Sequence, residues 1–158
     1  MLKDNSMKVS DVMTKNFLAV RPDTPIYNVQ TLLIRYHLND VLVTDTENKL
    51  LGIVTFSDIC CKLLPDYDEL MKDSSYLLNP ELIEDRLADI MNFPVKEIMT
   101  TNVITTEPDS FAIKAGALMT AKKIKQLPVI ENNRLVGVIS RTDITWGLML
   151  KYCKRLPD

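Results

Sequence analysis

Two short motifs hold the residue types best suited to chemistry, Thr55-Phe56-Ser57-Asp58 and Ser140-Arg141-Thr142-Asp143. In each, a hydroxyl stands three residues before a carboxylate, where an apolar β-rich run gives way to an apolar helical run. An ionised carboxylate accepts hydrogen bonds from both hydroxyls of a vicinal diol, and charged acceptors make the stronger bonds. Dinucleotide-binding folds use an acidic residue on ribose in this way. A helix starting at Ser57 or Thr142 would also direct free N–H groups and partial positive charge toward an anion. The same residues make an ordinary helix N-cap, worth about 1 kcal/mol. Capping and ligand binding are compatible, and the motif alone leaves both open.

Other chemistry finds little footing. His37 is the only histidine, and no G-x-S-x-G elbow is present. Gly52, Gly116, Gly137 and Gly147 lie in no phosphate-cradling run. The chain therefore reads as a non-enzyme. Cys60, Cys61 and Cys153 form no C-x-x-C pair, so no metal set is expected. An odd cysteine count with two neighbours makes a poor disulfide framework, which points to reduced thiols. Cys60 and Cys61 are expected to be buried on a helix face as small hydrophobes.

The net charge of −2 offers no basic field for nucleic acid or an anionic membrane. Aromatic residues are 6% and do not interleave with basic ones, and Trp146 reads as core or interface. No apolar run approaches the ~20 residues that span a bilayer. Residues 1–6 lack the apolar stretch of a signal peptide and read as an arm before Met7; a cytoplasmic location is expected.

The elements that must position the motifs come from a duplication. Val12-Met13-Thr14 returns as Ile98-Met99-Thr100, and Arg21-Pro22-Asp23 as Glu107-Pro108-Asp109. Val41-Leu42-Val43 returns as Leu127-Pro128-Val129, and Gly52-Ile53-Val54-Thr55 as Gly137-Val138-Ile139-Ser140. The second copy is one residue shorter in its hairpin turn. Each unit predicts a short strand (Phe17 to Val20; Val103 to Thr106), then a helix after the Pro-Asp turn. Thr24, and Asp109 or Ser110, are the expected N-caps. Ile26, Val29, Leu32, Leu33 and Tyr36, and Ile113, Ala117, Leu118 and Ala121, have helical spacing. Two β-rich runs follow, joined by Asp45–Asn48 or Glu131–Asn133, and then the motif opens a second helix. The unit is β-α-β-β-α. Two copies are too few for a solenoid and suggest two units packed about a pseudo-two-fold axis. The boundaries are 7–62 and 94–153. Residues 63–93 form an acidic amphipathic insert with at least one helix through Leu82, Ile83, Leu87, Ile90 and Met91.

In order, the Met-Thr opening, the Pro-Asp turn, the Leu-Pro-Val strand and the Gly-apolar-apolar-Ser/Thr-x-x-Asp-Ile motif resemble the CBS domain, named after cystathionine β-synthase. The resemblance covers both repeats and makes the chain similar to a Bateman module. It implies an α/β fold of two β-α-β-β-α repeats with a helical insert between them. It implies a regulatory module, commonly a homodimer, that binds an adenosyl compound: AMP, ADP, ATP, S-adenosylmethionine, NAD or a cyclic dinucleotide. Ligand would be sensed through rearrangement between repeats or within a dimer, for an effector protein the sequence does not identify. It implies two clefts. One uses Ser140, Arg141, Thr142 and Asp143 with Thr14, Leu18, His37, Leu38 and Asn39. The other uses Thr55, Ser57 and Asp58 with Thr100, Ile104, Ile124 and Lys125. Arg141 and His37 are the phosphate candidates of the first; Lys122, Lys123 and Lys125 stand beside the second. Plain core packing is the competing reading for Leu18, Leu38, Ile104 and Ile124. The first repeat departs from the family in lacking the middle proline at Leu42, and Phe56 stands where the second repeat has Arg141. The clefts are therefore not equivalent. The alternative function is a ligand-independent dimeric interaction scaffold.

Overall fold

Apolar periodicity and turn residues build the duplicated hairpins and helices. The computed structural model describes residues 6–73, 75, 79 and 81–153. The chain divides into two compact units, Leu18–Val103 and Met1–Phe17 with Ile104–Asp158. Each unit thus combines most of one repeat with the opening segment of the other.

In the unit Leu18–Val103, β1 (Ala19–Val20) precedes α1 (Ile26–Arg35), β2 (Asp40–Thr44), β3 (Leu50–Thr55) and α2 (Phe56–Leu63). β1 runs parallel to β2, and β2 pairs antiparallel with β3, Asp40 opposite Thr55. The insert adds α3 (Tyr67–Lys72) and α4 (Glu81–Met91), and a 3-10 turn follows at Val95–Glu97. Ile26, Val29 and Leu33 give α1 its buried face. They join Val41, Val43, Val54, Ile59, Ile90 and Val95 in one core.

The second unit contains a 3-10 turn at Val9–Asp11, α5 (Ala112–Lys122), β4 (Gln126–Glu131), β5 (Arg134–Ser140) and α6 (Arg141–Cys153). Its core is Val9, Ala112, Ala115, Met119, Leu127, Val129, Ile139 and Ile144. The strand expected at Val103–Thr106 is reduced to one bridge, Thr106 to Val129. Asn48, Asn132 and Asn133 take left-handed backbone in the hairpin turns, as short polar side chains do at least cost.

Several local expectations are corrected. The N-caps are Pro25 and Phe111, neither with a side-chain cap. The first helical N–H groups instead find carbonyls of the opposing segment: Ile26 donates to Phe93 at 2.9 Å and Ala112 to Met7 at 2.9 Å. Thr24 accepts from the Arg21 N–H at 3.2 Å, and Asp109 pairs with Lys8 at 2.8 Å. Cys60 and Cys61 are exposed, because α2 fully buries only Ile59.

Each Pro-Asp turn is gripped by the other repeat's 3-10 segment. Val9 donates to Ser110 and Ser10 to Pro108, at 2.8 and 2.9 Å; Val95 donates to Thr24 and Lys96 to Pro22, at 2.8 and 3.0 Å. Lys8–Asp109 and Lys96–Asp23 ion pairs stand beside these bonds. The hydrogen bond and charge of Lys8 lower the Asp109 pKa, and those of Asp23 raise the Lys96 pKa. Asp109's contribution is present above the ordinary carboxylate pKa of about 3.9 and lost as pH falls through its lower folded value. Lys96's contribution is present below about 10.4 and lost as pH rises through its higher folded value.

One pairing breaks the duplication. Arg21 Nη1 donates to Thr44 O and Oγ1, at 3.2 and 3.1 Å, and also to Asp45 O. Thr44 is buried. The corresponding residues of the second repeat are Glu107, Ile130 and Glu131. Arg21→Ala removes the guanidinium donor from Thr44 O and Oγ1, while Asp45 O keeps its bond from the Asn48 N–H, and is expected to cost about 1–2 kcal/mol in urea unfolding. Glu107→Ala, with no such bonds to lose, should stay within about 0.5 kcal/mol.

Candidate functional site

Both hydroxyl–carboxylate motifs sit where an antiparallel strand turns into a helix. Thr55 N–H and Oγ1 donate to Asp58 Oδ2, both at 2.7 Å, and Asp58 N–H returns a bond to Thr55 Oγ1 at 3.3 Å. Ser140 N–H and Oγ donate to Asp143 Oδ2 at 2.7 Å, and Asp143 N–H returns at 3.2 Å to Ser140 Oγ. These reciprocal caps satisfy donors that a helix start leaves open. They hold each carboxylate through Oδ2, so Oδ1 takes no part in the cap. Both aspartates are half-buried. Arg141 and Thr142 are exposed, as is Ser57.

The Met-Thr segments lie against the motifs in an exchanged arrangement. Thr100 pairs with Ile53 through two backbone bonds of 2.9 and 3.0 Å, and Thr14 with Val138 at 2.8 and 2.9 Å. Thr100 Oγ1 also reaches Asp58 Oδ1 at 3.5 Å. Two glycines permit these crossings. A Cβ on Gly52 would stand 2.8 Å from Met99 Sδ and 2.9 Å from Thr100 O; on Gly137 it would stand 3.0 Å from both Met13 Sδ and Thr14 O.

The structure therefore brings Thr55, Ser57, Asp58 and Thr100 into one unit, and Ser140, Arg141, Thr142, Asp143 and Thr14 into the other. Leu18, His37, Leu38 and Asn39 belong to the unit of Asp58; Ile104, Ile124 and Lys125 belong to that of Asp143. Leu38, Ile104 and Ile124 pack, partly buried, against the cores of their own units, while Leu18 is 40% exposed. His37 and Lys123 occupy equivalent left-handed positions after α1 and α5. Leu38 N–H bonds Leu33 O and Ile124 N–H bonds Met119 O, each at 3.0 Å, closing the helix ends.

Asp143 borders a groove of about 810 Å³, with Lys8, Asp11, Trp146, Leu150 and Lys151 among its walls. That volume is within the range of small-molecule sites. Sequence reasoning missed these wall residues, and helical spacing along α6 (Asp143, Trp146, Leu150) was the signal available. Among the described residues, no cluster of three or more His, Cys, Asp or Glu could hold a metal ion, and no helix is long and apolar enough to cross a membrane.

The family model that matches is the CBS domain, at residues 9–64 and again at 95–149. An inosine-5'-monophosphate dehydrogenase of Methanocaldococcus jannaschii is 28% identical over 138 residues, covering 87% of this chain and 23% of the enzyme. The chain thus spans less than a quarter of that relative. Among solved structures, the CBS-pair protein CBSX2 from Arabidopsis thaliana has a TM-score of 0.75 at 20% identity, covering 97% of this chain and all of its own. The CBS domain pair of protein MJ0100, in complex with 5-methylthioadenosine and S-adenosyl-L-methionine, has a TM-score of 0.64 at 24% identity. That match covers 92% of this chain and 98% of the other. CBSX2 has also been solved in complex with AMP. These likenesses establish the fold, an α/β architecture of two repeats.

Proposed function

Because the chain belongs to the CBS domain family, carrying two of its repeats, we propose that it is a non-catalytic regulatory module that binds an adenosyl ligand. The observation that carries this reading is the repeated carboxylate, Asp58 and Asp143, held through one oxygen by its own cap. A carboxylate fixed in this way can offer its other oxygen to a ribose hydroxyl without reorganising. The groove beside Asp143 and the adenosyl ligands of the two CBS pairs compared above support the same reading. Ligand would act by preferring one arrangement of the chain or of a homodimer, since equal affinity for both shifts nothing.

The test is calorimetry on ligand-free protein with AMP, ADP, ATP, S-adenosylmethionine and NAD. Micromolar binding, on the order of −8 kcal/mol, is expected for at least one. Asp143→Asn keeps the side-chain volume and part of the cap but weakens the charged acceptor. It should lower affinity about tenfold or more while the chain stays folded. Silence across the panel, or unchanged affinity in both Asp143→Asn and Asp58→Asn, would defeat the reading.

A second reading, an interaction scaffold indifferent to nucleotide, is favoured by the apolar side chains that α6 exposes, Trp146 at 59% and Leu150 at 58%. It predicts partner capture that neither nucleotide nor Asp143→Asn alters.

A further inference from the structure

A second groove, of about 770 Å³, opens in the unit that holds Asp143, where the Pro-Asp turn meets the β4–β5 hairpin. Residues 105–110 and 130–133 line it together with part of α5, and Asp143 is not among its walls. The other repeat shows what fills the equivalent place there. Val20 pairs with Val43 in parallel register, as Thr106 does with Val129, so Arg21 corresponds to Glu107, Thr44 to Ile130 and Asp45 to Glu131. In the first repeat the Arg21 guanidinium lies across the carbonyls of Thr44 and Asp45. In the second repeat the charge at that point is reversed by Glu107. The Asp45 carboxylate accepts from the Glu47 and Lys49 N–H groups, at 2.9 Å each, whereas Glu131 holds no such bond among the described residues. Glu107 and Glu131 are both exposed on the groove, and neither forms an ion pair among the described residues. Asp109, also in the walls, is already held by Lys8. Lys114 is the cation that lines the groove, so the unpaired carboxylates outnumber it. The Ala112 N–H, at the start of α5, is taken by Met7 O, which weakens that helix start as a rival site for an anion.

We propose that this groove binds a guanidinium cation from outside the chain, in the place that Arg21 fills from within in the first repeat. A guanidinium presents its N–H donors as a planar fork, which matches carboxylates in bidentate fashion. Glu107 and Glu131 supply the carboxylates. The carbonyls of Ile130 and Glu131 stand where those of Thr44 and Asp45 accept from Arg21. Pro108 and Leu118 provide an apolar wall along which a methylene stem can lie. The volume suits a small organic cation or one long side chain. The guanidinium is that of a free guanidine or of an arginine side chain on another protein, and the recognising chemistry is the same for both. No residue of either hydroxyl–carboxylate motif takes part, so this site stands independently of the adenosyl reading.

Titration of the full chain with agmatine, followed by proton–nitrogen correlation NMR, tests this. Saturable shifts should centre on the amides of residues 105–110 and 130–133. No saturable shift up to about 10 mM agmatine, or shifts centred elsewhere, would overturn the proposal. Putrescine carries an ammonium where agmatine carries the guanidinium, and it should bind about fivefold more weakly or worse. Equal affinity for the two would reveal a diffuse attraction for cations and overturn it. Glu107→Gln and Glu131→Gln should each weaken agmatine about threefold to tenfold. Glu107→Arg should abolish binding, because the chain then fills the groove with its own guanidinium, as Arg21 does in the first repeat. Agmatine affinity unchanged in Glu107→Arg, or in both glutamine variants, would overturn the proposal. Both positions are exposed, and thermal unfolding of the glutamine variants unchanged from the unmodified chain confirms that affinity and not folding is being read. A capped Gly-Arg-Gly peptide separates the two sources. Affinity within about fivefold of agmatine's, or above it, assigns an arginine side chain of another protein, and lower affinity assigns a free guanidine.

Discussion

Gly52→Val is expected to lower the unfolding free energy by about 3 kcal/mol, and Gly137→Val by nearly as much. Neither glycine has positive φ, so neither is held for backbone freedom. What holds them is the crossing segment: even a single Cβ at Gly52 would stand 2.9 Å from the Thr100 carbonyl oxygen. That oxygen cannot yield freely, because it accepts the Ile53 N–H while Thr100 N–H bonds Ile53 O. A branched side chain must break this two-bond bridge or push β3 off its core. Urea unfolding of the two variants, with Gly116→Ala as counterpart, makes the test. Gly116 lies in α5, and its added Cβ would meet only the Ile144 Cδ1 methyl, at 3.3 Å, the far end of a flexible chain. There the helix propensity of alanine should prevail, giving no loss or a gain of up to about 1 kcal/mol. Equal losses at all three positions would show that close approach is not what distinguishes Gly52 and Gly137.

Those glycines also mark how far the fold could be read from residues alone. The duplication was plain because whole motifs recur in order, and the hairpins followed from β-rich runs bounded by Asn and Asp. α4 followed from its apolar spacing, which buries Ile90 near its C-terminal end. The glycines were visible as letters of a repeated motif, yet nothing in periodicity tells which backbone passes over them. A crossing made of one bridge and two hydrogen bonds leaves no run of alternating residues to detect. The same exchange hid the helix starts. Thr24, Asp109 and Ser110 have the right chemistry for N-caps, but carbonyls of Phe93 and Met7 reach the first helical N–H groups instead. The hydroxyl–carboxylate motifs were legible because the capping bonds are local, three residues apart. The Thr100 contact to Asp58, between residues far apart in the chain, was legible only through family resemblance.

The exchange also decides where the chain can be cut. A fragment of residues 18–103 should fold alone, whereas a fragment of residues 94–158, which holds a complete sequence repeat, should show no cooperative transition. Every member of the first core, from Ile26 through Val54 to Val95, lies within 18–103. The second core includes Val9, with no exposed surface, and Met7, Val12 and Met13 pack against it. A fully buried aliphatic side chain contributes roughly 1.5–3 kcal/mol, and the three partly buried ones somewhat less each. Losing them together removes about 5 kcal/mol, before counting the backbone bonds of Val9, Ser10 and Thr14. A whole domain is stable by only about 5–15 kcal/mol, so that loss is enough to unfold the fragment. Circular dichroism during urea titration reads the outcome, and a peptide of residues 6–17 supplied in trans should restore the transition by mass action. A cooperative transition in 94–158 without the peptide would mean that the opening segment is an accessory to that core. Restoration by the peptide would mean that two sequence repeats have become two folding units only by trading their first twelve or so residues, which places Thr100 beside Asp58 and Thr14 against Val138 of the opposite repeat.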